Sequence, residues 1–302
     1  MPAANMKIGF KIVLIFLQNL IYGQIDFTPP VDTPLIFLPN IVSTSNLEHS
    51  SPSINYDNNL ICWSMWERPK SENPRQMIQI YNYSSDTSST TIDFSDKFSD
   101  GGPIWIDQNS LLFYSKRPIH INKPDNLVND LWISKRTDKD WETPYCLNFS
   151  EYTRFAFTPT ISNLGTIYFV GFVDSVENRM GIYYSTLGDS GYEKPVLLPS
   201  AINSKYLDWT PFIADDETYL IFSSNRPGSK DKYGDLFISF RDENDNWIEP
   251  ISLGDKINTE KQERFPSVST DLGILFFTRA TDSNYDDIFW INSKIIDEFK
   301  ER

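Results

Sequence analysis

The chain has 302 residues, 40% hydrophobic and 15% aromatic, which is the composition of a globular protein and excludes a disordered one. Its formal net charge of −14 at pH 7 repels phosphate backbones, so we expect no nucleic-acid partner. With two histidines, two cysteines and no Cys/His spacing typical of zinc, we expect neither a metal nor another cofactor.

The first 23 residues have the pattern of an export signal. Lys7 and Lys11 precede a short apolar run, Ile12 to Gly23, that ends in a small residue. The run is shorter than the roughly 20 apolar residues that a spanning helix needs, and no second apolar segment follows. We expect a signal peptide over 1–23 and a mature domain over 24–302, exported to the periplasm or the medium, without a transmembrane segment. A retained signal anchor is the alternative.

An internal repeat with a period of 51 to 56 residues organises the rest of the chain. Each repeat opens with a proline in a short strand, followed by an Asp/Asn/Gly turn and a strongly apolar second strand, such as LICWSMW from Leu60. A loop of variable sequence then leads to a third strand, such as DLFISF from Asp235. The opening prolines are Pro52, Pro103, Pro159, Pro211 and Pro266.

The outermost strand of a repeat opens with an aromatic residue and a proline three positions later, as in WETP from Trp141 and WIEP from Trp247. The segment TPLIFLPN from Thr33 matches the outer-strand segments KPVLLPS from Lys194 and EPISLGD from Glu249, whereas the last repeat lacks such a strand. We therefore predict an all-β fold. It is one five-bladed β-propeller of four-stranded antiparallel blades, closed by an N-terminal strand that completes the last blade.

The segment from Gly234 to Arg279 resembles the WD40-like, TolB-like propeller repeat. That pattern has a strand-opening proline, an Asp-Gly-type turn, an apolar strand ending near Ser-x-Arg and an Asp-Leu-Tyr-type strand. The match is strong in repeats two, four and five, looser in one and three, and covers nearly all of the mature chain. The resemblance implies an exported binding or scaffold module. TolB itself has six blades and an extra N-terminal domain, so its own partners are not carried over to these five repeats.

A polar residue occurs three positions before the opening proline in four repeats, and the third repeat has Ala156 there. Because the first strand of a propeller blade lines the central channel, one interpretation is a binding ring at a channel mouth. Closely spaced carboxylates of such a ring would bind a hard cation or raise one another's pKa. The polar residues are His49, Asp100, Asp208 and Glu263.

An arginine lies near the end of the second strand in four repeats, and the third repeat has Val173 there. The third repeat thus lacks the arginine and the polar residue together. Joint absence favours a structural pair, because an unpaired buried charge is costly. We therefore predict structural pairing, although His49 is not a natural ion partner for Arg68. The arginines are Arg68, Arg117, Arg226 and Arg279.

Three other features have structural interpretations. The segment RDENDNW from Arg241 imitates the start of a calcium loop but has no glycine at the sixth position and Leu253 at the last one, so we predict a hairpin turn. Cys62 and Cys146 lie in a predicted inner and a predicted outer strand, which favours two free, buried thiols. Blade packing is favoured over sugar stacking for four tryptophans near the strand ends. These are Trp63, Trp66, Trp105 and Trp209.

The functional prediction is an exported, monomeric, non-enzymatic propeller that binds a protein, a peptide or a glycan at one face. The loops between second and third strands differ most, and variable loops on a rigid scaffold carry specificity. The alternative is a glycoside hydrolase-like enzyme with Asp100, Asp208 and Glu263 as candidate acid and base. We assign no catalytic residue, since no G-x-S-x-G, H-E-x-x-H or phosphate-loop motif is present.

Overall fold

The protein forms five four-stranded antiparallel sheets and a separate two-stranded ribbon. The inner strands of the five sheets lie side by side in a closed ring, which confirms the predicted five-bladed propeller. The signal-peptide segment 1–23 and Arg68 are outside the described residues. The computed structural model describes residues 25–44, 47–66, 75–85, 88–95, 97–119, 127–174, 179–281 and 285–300.

The strands of a blade follow one another from the channel outward, except that the first strand of the chain belongs to the last blade. That strand is β1 (Leu35–Ile36). Blade 1 contains β2 (Glu48–Asn55), β3 (Leu60–Trp66), β4 (Gln76–Asn82) and β5 (Thr90–Thr91). Blade 2 contains β6 (Asp100–Trp105), β7 (Ser110–Ser115), β8 (Asp130–Lys135) and β9 (Tyr145–Cys146).

The third blade carries the extra ribbon in the connection to its outer strand. It contains β10 (Phe157–Ile161), β11 (Ile167–Asp174), β12 (Arg179–Ser185), the ribbon β13 (Leu187–Gly188) and β14 (Gly191–Tyr192), and β15 (Val196–Leu197). Blade 4 contains β16 (Asp208–Ile213), β17 (Tyr219–Ser224), β18 (Asp235–Phe240) and β19 (Ile251–Ser252). Blade 5 contains β20 (Glu263–Ser269), β21 (Ile274–Ala280), β22 (Asp286–Asn292) and β1.

Short helices lie between some of the strands and after the last one. The α-helices are α1 (Ser150–Thr153) and α2 (Gly254–Ile257), and the 3-10 helices span Asp93–Ser95 and Ser293–Phe299. Within the described part of the chain, no helix is long and apolar enough to cross a membrane.

The N-terminal strand closes the ring, as predicted. In β1, Leu35 pairs with Trp290 and Ile36 pairs with Phe289 of β22, so the N-terminus supplies the outer strand of blade 5. On the channel side, the Ser267 hydroxyl of blade 5 donates a hydrogen bond to the Pro52 carbonyl of blade 1 at 3.0 Å. Closure gives blade 5 its fourth strand from the N-terminal part of the chain.

Each inner strand has a β-bulge at its channel proline. The residue directly before the proline has a left-handed backbone, which costs roughly 1–2 kcal/mol for a residue other than glycine. A bulge bends the strand and interrupts the regular alternation of its side chains, so it controls which side chains face the channel. The left-handed residues are Ser51 (φ 53°), Gly102 (59°), Thr158 (49°), Thr210 (46°) and Phe265 (50°).

The hydrophobic core is divided into five clusters, one at each interface between neighbouring blades. Each second strand alternates its side chains between the two interfaces that flank it. Cys62, for example, packs in the cluster that contains Phe113 of blade 2, whereas its neighbour Trp63 packs in the cluster that contains Phe276 of blade 5. Trp63 is therefore a core residue, in agreement with the packing interpretation.

Both cysteines are free thiols, as predicted, but only one is fully buried. Cys62 is buried and Cys146 is half-buried. Burial raises the pKa of the Cys62 thiol well above its ordinary value and raises the pKa of Cys146 to about 12. Both groups are therefore protonated and poorly nucleophilic at neutral pH.

Candidate functional site

The centre of the channel is constricted by its five prolines, and we call this constriction the waist. The residues around it enclose a volume of about 30 Å³, room for only one or two water molecules. A larger ligand that enters the channel from one end therefore stops at the waist. The prolines are Pro52, Pro103, Pro159, Pro211 and Pro266.

A cavity of about 580 Å³ lies at the end of the channel where the inner strands begin, and we call it the mouth cavity. Its volume is within the range of about 300–1,000 Å³ that is typical of small-molecule sites. Charged, amide, hydroxyl and aromatic side chains contribute to its wall. The lining residues are Glu48, His49, Ser50, Trp66, Gln76, Ser99, Tyr114, Lys116, Asn129, Phe157, Trp209, Arg264, Phe265 and Asp286.

A second cavity, of about 420 Å³, lies on the other side of the waist. Its polar wall is made mainly of short hydroxyl and amide side chains, such as Ser162, Asn163 and Thr270. Asp215, the acidic residue of this wall in blade 4, accepts a hydrogen bond from Thr270 at 2.7 Å. The mouth cavity is the stronger candidate site, because it combines both signs of charge with several aromatic side chains.

In four blades the mouth cavity is lined by the residue two positions before the channel proline, whereas only His49 lines it from the position three before. Because side chains alternate along a strand, neighbouring positions face opposite sides. Blade 2 has Gly101 at the channel-facing position, where a Cβ atom would lie 2.5 Å from the Gln76 side chain and 2.6 Å from the Tyr114 hydroxyl. The glycine thus leaves room for these two side chains. The other residues at this position are Ser50, Phe157, Trp209 and Arg264.

The three carboxylates that the sequence suggested for a mouth ring are fully buried, and none of them lines the mouth cavity. Each contacts the arginine of its own blade. The distances are 2.7 Å for Asp100 to Arg117, 2.8 Å for Asp208 to Arg226 and 2.7 Å for Glu263 to Arg279. Two buried charges that neutralise each other in this way form a structural unit of the blade.

His49 occupies the equivalent position in blade 1 and lines the mouth cavity. Its Nδ1 accepts a hydrogen bond from Trp63 Nε1 at 3.2 Å, and its Nε2 lies 3.1 Å from the backbone nitrogen and from the hydroxyl of Thr44 and 3.3 Å from the Thr44 carbonyl oxygen. Burial lowers the pKa of His49 to about 4. The imidazole is therefore neutral at pH 7 and bonded on both nitrogens to its own blade.

The length of the acidic side chain in blade 5 matches the position of its arginine. Asp208 is directly opposite Ser224, and Arg226 lies two residues beyond that serine. Glu263 is directly opposite Arg279 itself. Relative to its acidic partner, Arg279 therefore lies two residues earlier in the chain than Arg226 does. The longer glutamate brings its Oε1 to 2.7 Å from Arg279 Nε.

A hydroxyl residue on the connection before the inner strands of blades 4 and 5 binds the carboxylate of that strand, and sequence reasoning missed it. Ser204 Oγ donates to Asp208 at 2.6 Å, and Thr259 Oγ1 donates to Glu263 at 2.7 Å. Thr44 has the same place beside His49 in blade 1. The recurrence of Ile-Asn-Ser and Ile-Asn-Thr four to six residues before these acids was the available sequence signal.

One ion pair does lie on the wall of the mouth cavity. Arg264, at the channel-facing position of blade 5, is bonded to Asp286 at the start of β22. The guanidinium lies 5.9 Å from the ring centre of Trp209 and 5.3 Å from that of Phe265. Aromatic faces at such distances attract a cation, so they help to fix the arginine on the wall.

The calcium-like segment is a hairpin turn, as predicted. Arg241 and Trp247 pair across it, and the Asp242 carboxylate accepts hydrogen bonds from the backbone N–H groups of Asn244 and Asn246. The Asp242 oxygens thus cap the turn itself, which is the usual local role of an aspartate in a turn.

No protein-family model matches the chain, and no curated protein matches its sequence. Solved structures show the same fold. A protein assigned as TolB from Agrobacterium tumefaciens is similar with a TM-score of 0.53 and 12% identity, over 81% of this chain and 76% of that one. A thermostable family-43 glycoside hydrolase has a TM-score of 0.52 and 10% identity, over 83% of this chain and 90% of that one.

An endo-arabinase from Bacteroides thetaiotaomicron VPI-5482 has a TM-score of 0.50 and 15% identity, over 81% of this chain and 94% of that one. At such identities the likeness shows the fold alone, and a propeller of this kind serves both TolB and glycoside hydrolases. The resemblance to the TolB-like repeat is therefore supported at the level of the fold.

Proposed function

We propose that this protein is an exported, non-enzymatic binding module that holds its ligand in the mouth cavity. The ligand class is a protein, a peptide or a glycan. The observation that carries the proposal is the mouth cavity itself: about 580 Å³, closed at its base by the waist and walled by charged and aromatic side chains on rigid strands. Such pockets, with a few placed polar groups, are the default binding sites of folded domains.

The enzymatic alternative is weakened by the surroundings of its candidate residues. An acid and a base for glycoside hydrolysis must reach the scissile bond from either side. Asp100, Asp208 and Glu263 are instead buried behind the channel wall, and each is bonded to an arginine. A sugar in the mouth cavity would reach none of them without breaking an ion pair. The cavity contains two other carboxylates, Glu48 and Asp286, which the test must also cover.

The experiment is capture from the native envelope fraction and medium on three immobilised proteins. These are the wild type, Trp66→Ala at the rim of the cavity, and Tyr145→Ala, which removes an exposed aromatic of blade 2 that does not line the cavity. We expect the wild type and Tyr145→Ala to retain the same ligand and Trp66→Ala to lose it. Equal capture by all three would contradict binding in the mouth cavity.

The enzymatic alternative is tested on the same material. Glycans eluted from the wild-type protein after prolonged incubation are compared in length with the input. Shortened products that disappear with Glu48→Gln or Asp286→Asn would overturn the non-enzymatic proposal. Loss of those products with Asp208→Asn and Glu263→Gln, at unchanged stability, would restore the buried carboxylates as catalytic candidates.

A further inference from the structure

We infer that the ligand of the mouth cavity is the end of a neutral saccharide chain. This inference rests on the proposed function and narrows its ligand class. Three properties of the cavity support it: the balance of its charges, its aromatic wall with a free amide donor, and its closed base.

The charges of the cavity favour a neutral ligand. Its wall has two carboxylates, Glu48 and Asp286, and two cations, Lys116 and Arg264, while His49 is neutral. An anionic ligand would face the two carboxylates, and a cationic ligand would face the two cations. Arg264 and Asp286 already neutralise each other, so neither is available to pair with a charged ligand without losing its partner. A neutral group that both donates and accepts hydrogen bonds avoids these costs.

The aromatic residues of the cavity supply flat apolar surfaces. Trp66 is 37% exposed at the rim, and Phe157, Trp209 and Phe265 lie deeper on three neighbouring blades. A sugar ring has one or two apolar faces formed by its C–H groups and a polar edge formed by its hydroxyls. Aromatic side chains bury the apolar faces of the sugar, and the polar side chains between them can bond to its hydroxyl edge.

Gln76 provides a buried polar group without a complete set of partners. Its side chain is 4% exposed, lines the cavity, and accepts the Tyr114 hydroxyl hydrogen bond on Oε1 at 2.6 Å. In the part of the chain that the structure describes, no acceptor receives a hydrogen bond from its amide nitrogen, and that nitrogen is not sealed from solvent. Water can accept a hydrogen bond from this donor in the free protein, and a ligand hydroxyl in the cavity can take the place of that water.

The closed base decides which part of a saccharide binds. The waist leaves space for water only, so a polymer cannot thread through the channel. A saccharide that enters the cavity along the channel axis therefore enters by an end. Binding by an end predicts that a trisaccharide binds about as tightly as a longer oligomer of the same sugar, because additional units lie outside the cavity.

The test is calorimetric titration of the full chain with trisaccharides of matched length and different charge. The neutral probes are cellotriose, xylotriose, mannotriose and maltotriose, the acidic probe is trigalacturonic acid, and the basic probe is the trimer of glucosamine. We expect a neutral trisaccharide to bind and both charged probes to bind at least about ten-fold more weakly. Trp66→Ala should weaken binding about ten-fold, as for the loss of an aromatic contact with the ligand, and Tyr145→Ala should leave binding unchanged.

Two further variants keep the result interpretable. Trp209→Phe retains an aromatic ring beside Arg264, and Gln76→Leu removes the free amide donor. Each variant should weaken binding of the trisaccharide. The melting temperature of each variant is measured separately, as a control for folding. Binding only of a charged probe, or of no saccharide in the panel, would overturn the inference. If a peptide binds instead and Trp66→Ala abolishes it, the inference fails but the proposed function stands. If the neutral trisaccharide is cleaved, the non-enzymatic function fails while the ligand class stands.

Discussion

Arg226 and Asp208 form one closed unit with Ser224 inside blade 4. Asp208 Oδ1 lies 2.8 Å from the guanidinium and also accepts a hydrogen bond from Ser224 Oγ at 2.6 Å. Arg226 Nε in turn donates to the same Ser224 hydroxyl at 3.1 Å. The serine and arginine of the Ser-x-Arg motif thus act together on one carboxylate, which supports a structural role for this motif.

Removal of either partner should destabilise the protein strongly. We expect Asp208→Ala and Arg226→Ala each to lower the free energy of unfolding by about 3–5 kcal/mol, because each leaves the other charge buried and unpaired. The double variant should be less destabilised than the sum of the two. Urea titration of the three variants provides the measurement.

Asp255→Ala is the matched control for that experiment, since Asp255 pairs with Lys230 at 2.8 Å but is highly exposed. It should have little effect on stability, because exposed ion pairs contribute little. If Asp208→Ala left stability intact and abolished ligand binding, the structural role of the pair would be wrong.

The ion pair of blade 5 should be sensitive to a single methylene group. Glu263→Asp shortens the side chain that must reach Arg279 from directly opposite it. We expect a loss of about 1–3 kcal/mol in the free energy of unfolding, the cost of weakening a buried hydrogen-bonded contact. Glu260→Asp, an exposed change of the same kind three residues earlier, serves as the control in thermal unfolding. Equal melting temperatures for both variants would contradict the length argument.

The repeat pattern predicted the ring and its closure because these depend on periodic residues. The channel prolines, such as Pro52 and Pro266, occupy equivalent positions in their blades. The segment after Thr33 is recognisable as an outer strand. The face of each side chain was harder to predict. The bulge before each proline involves a left-handed residue, such as Thr210 or Phe265, that propensity does not indicate. The prediction therefore placed all four aligned polar residues at the channel mouth, whereas only His49 lines it and the three carboxylates do not.

The mouth cavity could not be found from the repeats for a related reason. Its channel-facing position is occupied by Ser50, Gly101, Phe157, Trp209 and Arg264, which share no chemistry and therefore give no repeat signal. Other lining residues, such as Gln76 and Asp286, come from third strands. Their convergence depends on how the blades pack around the channel. Variation at a position that the scaffold holds in a fixed place is what a ligand-specific site requires.

The closing strand should depend on one buried side chain. Phe37, directly after β1, is fully buried and contacts the rings of Phe276 at 4.8 Å and Trp290 at 5.4 Å. Phe37→Ala should lower the free energy of unfolding by about 3–5 kcal/mol and make the N-terminal segment accessible to protease. Leu35→Ala, which truncates a side chain that is 49% exposed, should change neither. Protease resistance of the Phe37→Ala protein would contradict closure through this contact.

Acid should destabilise the protein partly through His49. Its pKa is lowered by burial from 6.5 in the unfolded chain to about 4 in the folded protein, so between these values the unfolded state binds the extra proton. The contribution to stability is complete above pH 6.5 and is lost as the pH falls through about 4. It amounts to about 3 kcal/mol. His49→Gln should remove this part of the pH dependence, which unfolding titrations at pH 7, 5 and 4 would measure. Identical pH profiles of stability for the wild type and His49→Gln would contradict acid destabilisation through His49.

Replacement of Thr158 by glycine should stabilise the bulge of blade 3. Thr158 has a φ of 49°, and in the described part of the chain its buried hydroxyl has no hydrogen-bond partner. Glycine adopts this backbone without strain, and its substitution also removes the unsatisfied hydroxyl. These gains exceed the backbone entropy that glycine loses on folding, so Thr158→Gly should raise the free energy of unfolding by about 1 kcal/mol.

The reverse change in blade 2 is the control for this last experiment. Gly102 occupies the same position with a φ of 59°, and a Cβ atom there would lie 2.8 Å from the Tyr114 ring. Gly102→Thr should therefore destabilise the protein by about 1–3 kcal/mol, through overpacking as well as backbone strain. Differential scanning calorimetry of the two variants should show melting temperatures that move in opposite directions. A lower melting temperature for Thr158→Gly would mean that the threonine methyl group contributes more by packing than its backbone costs.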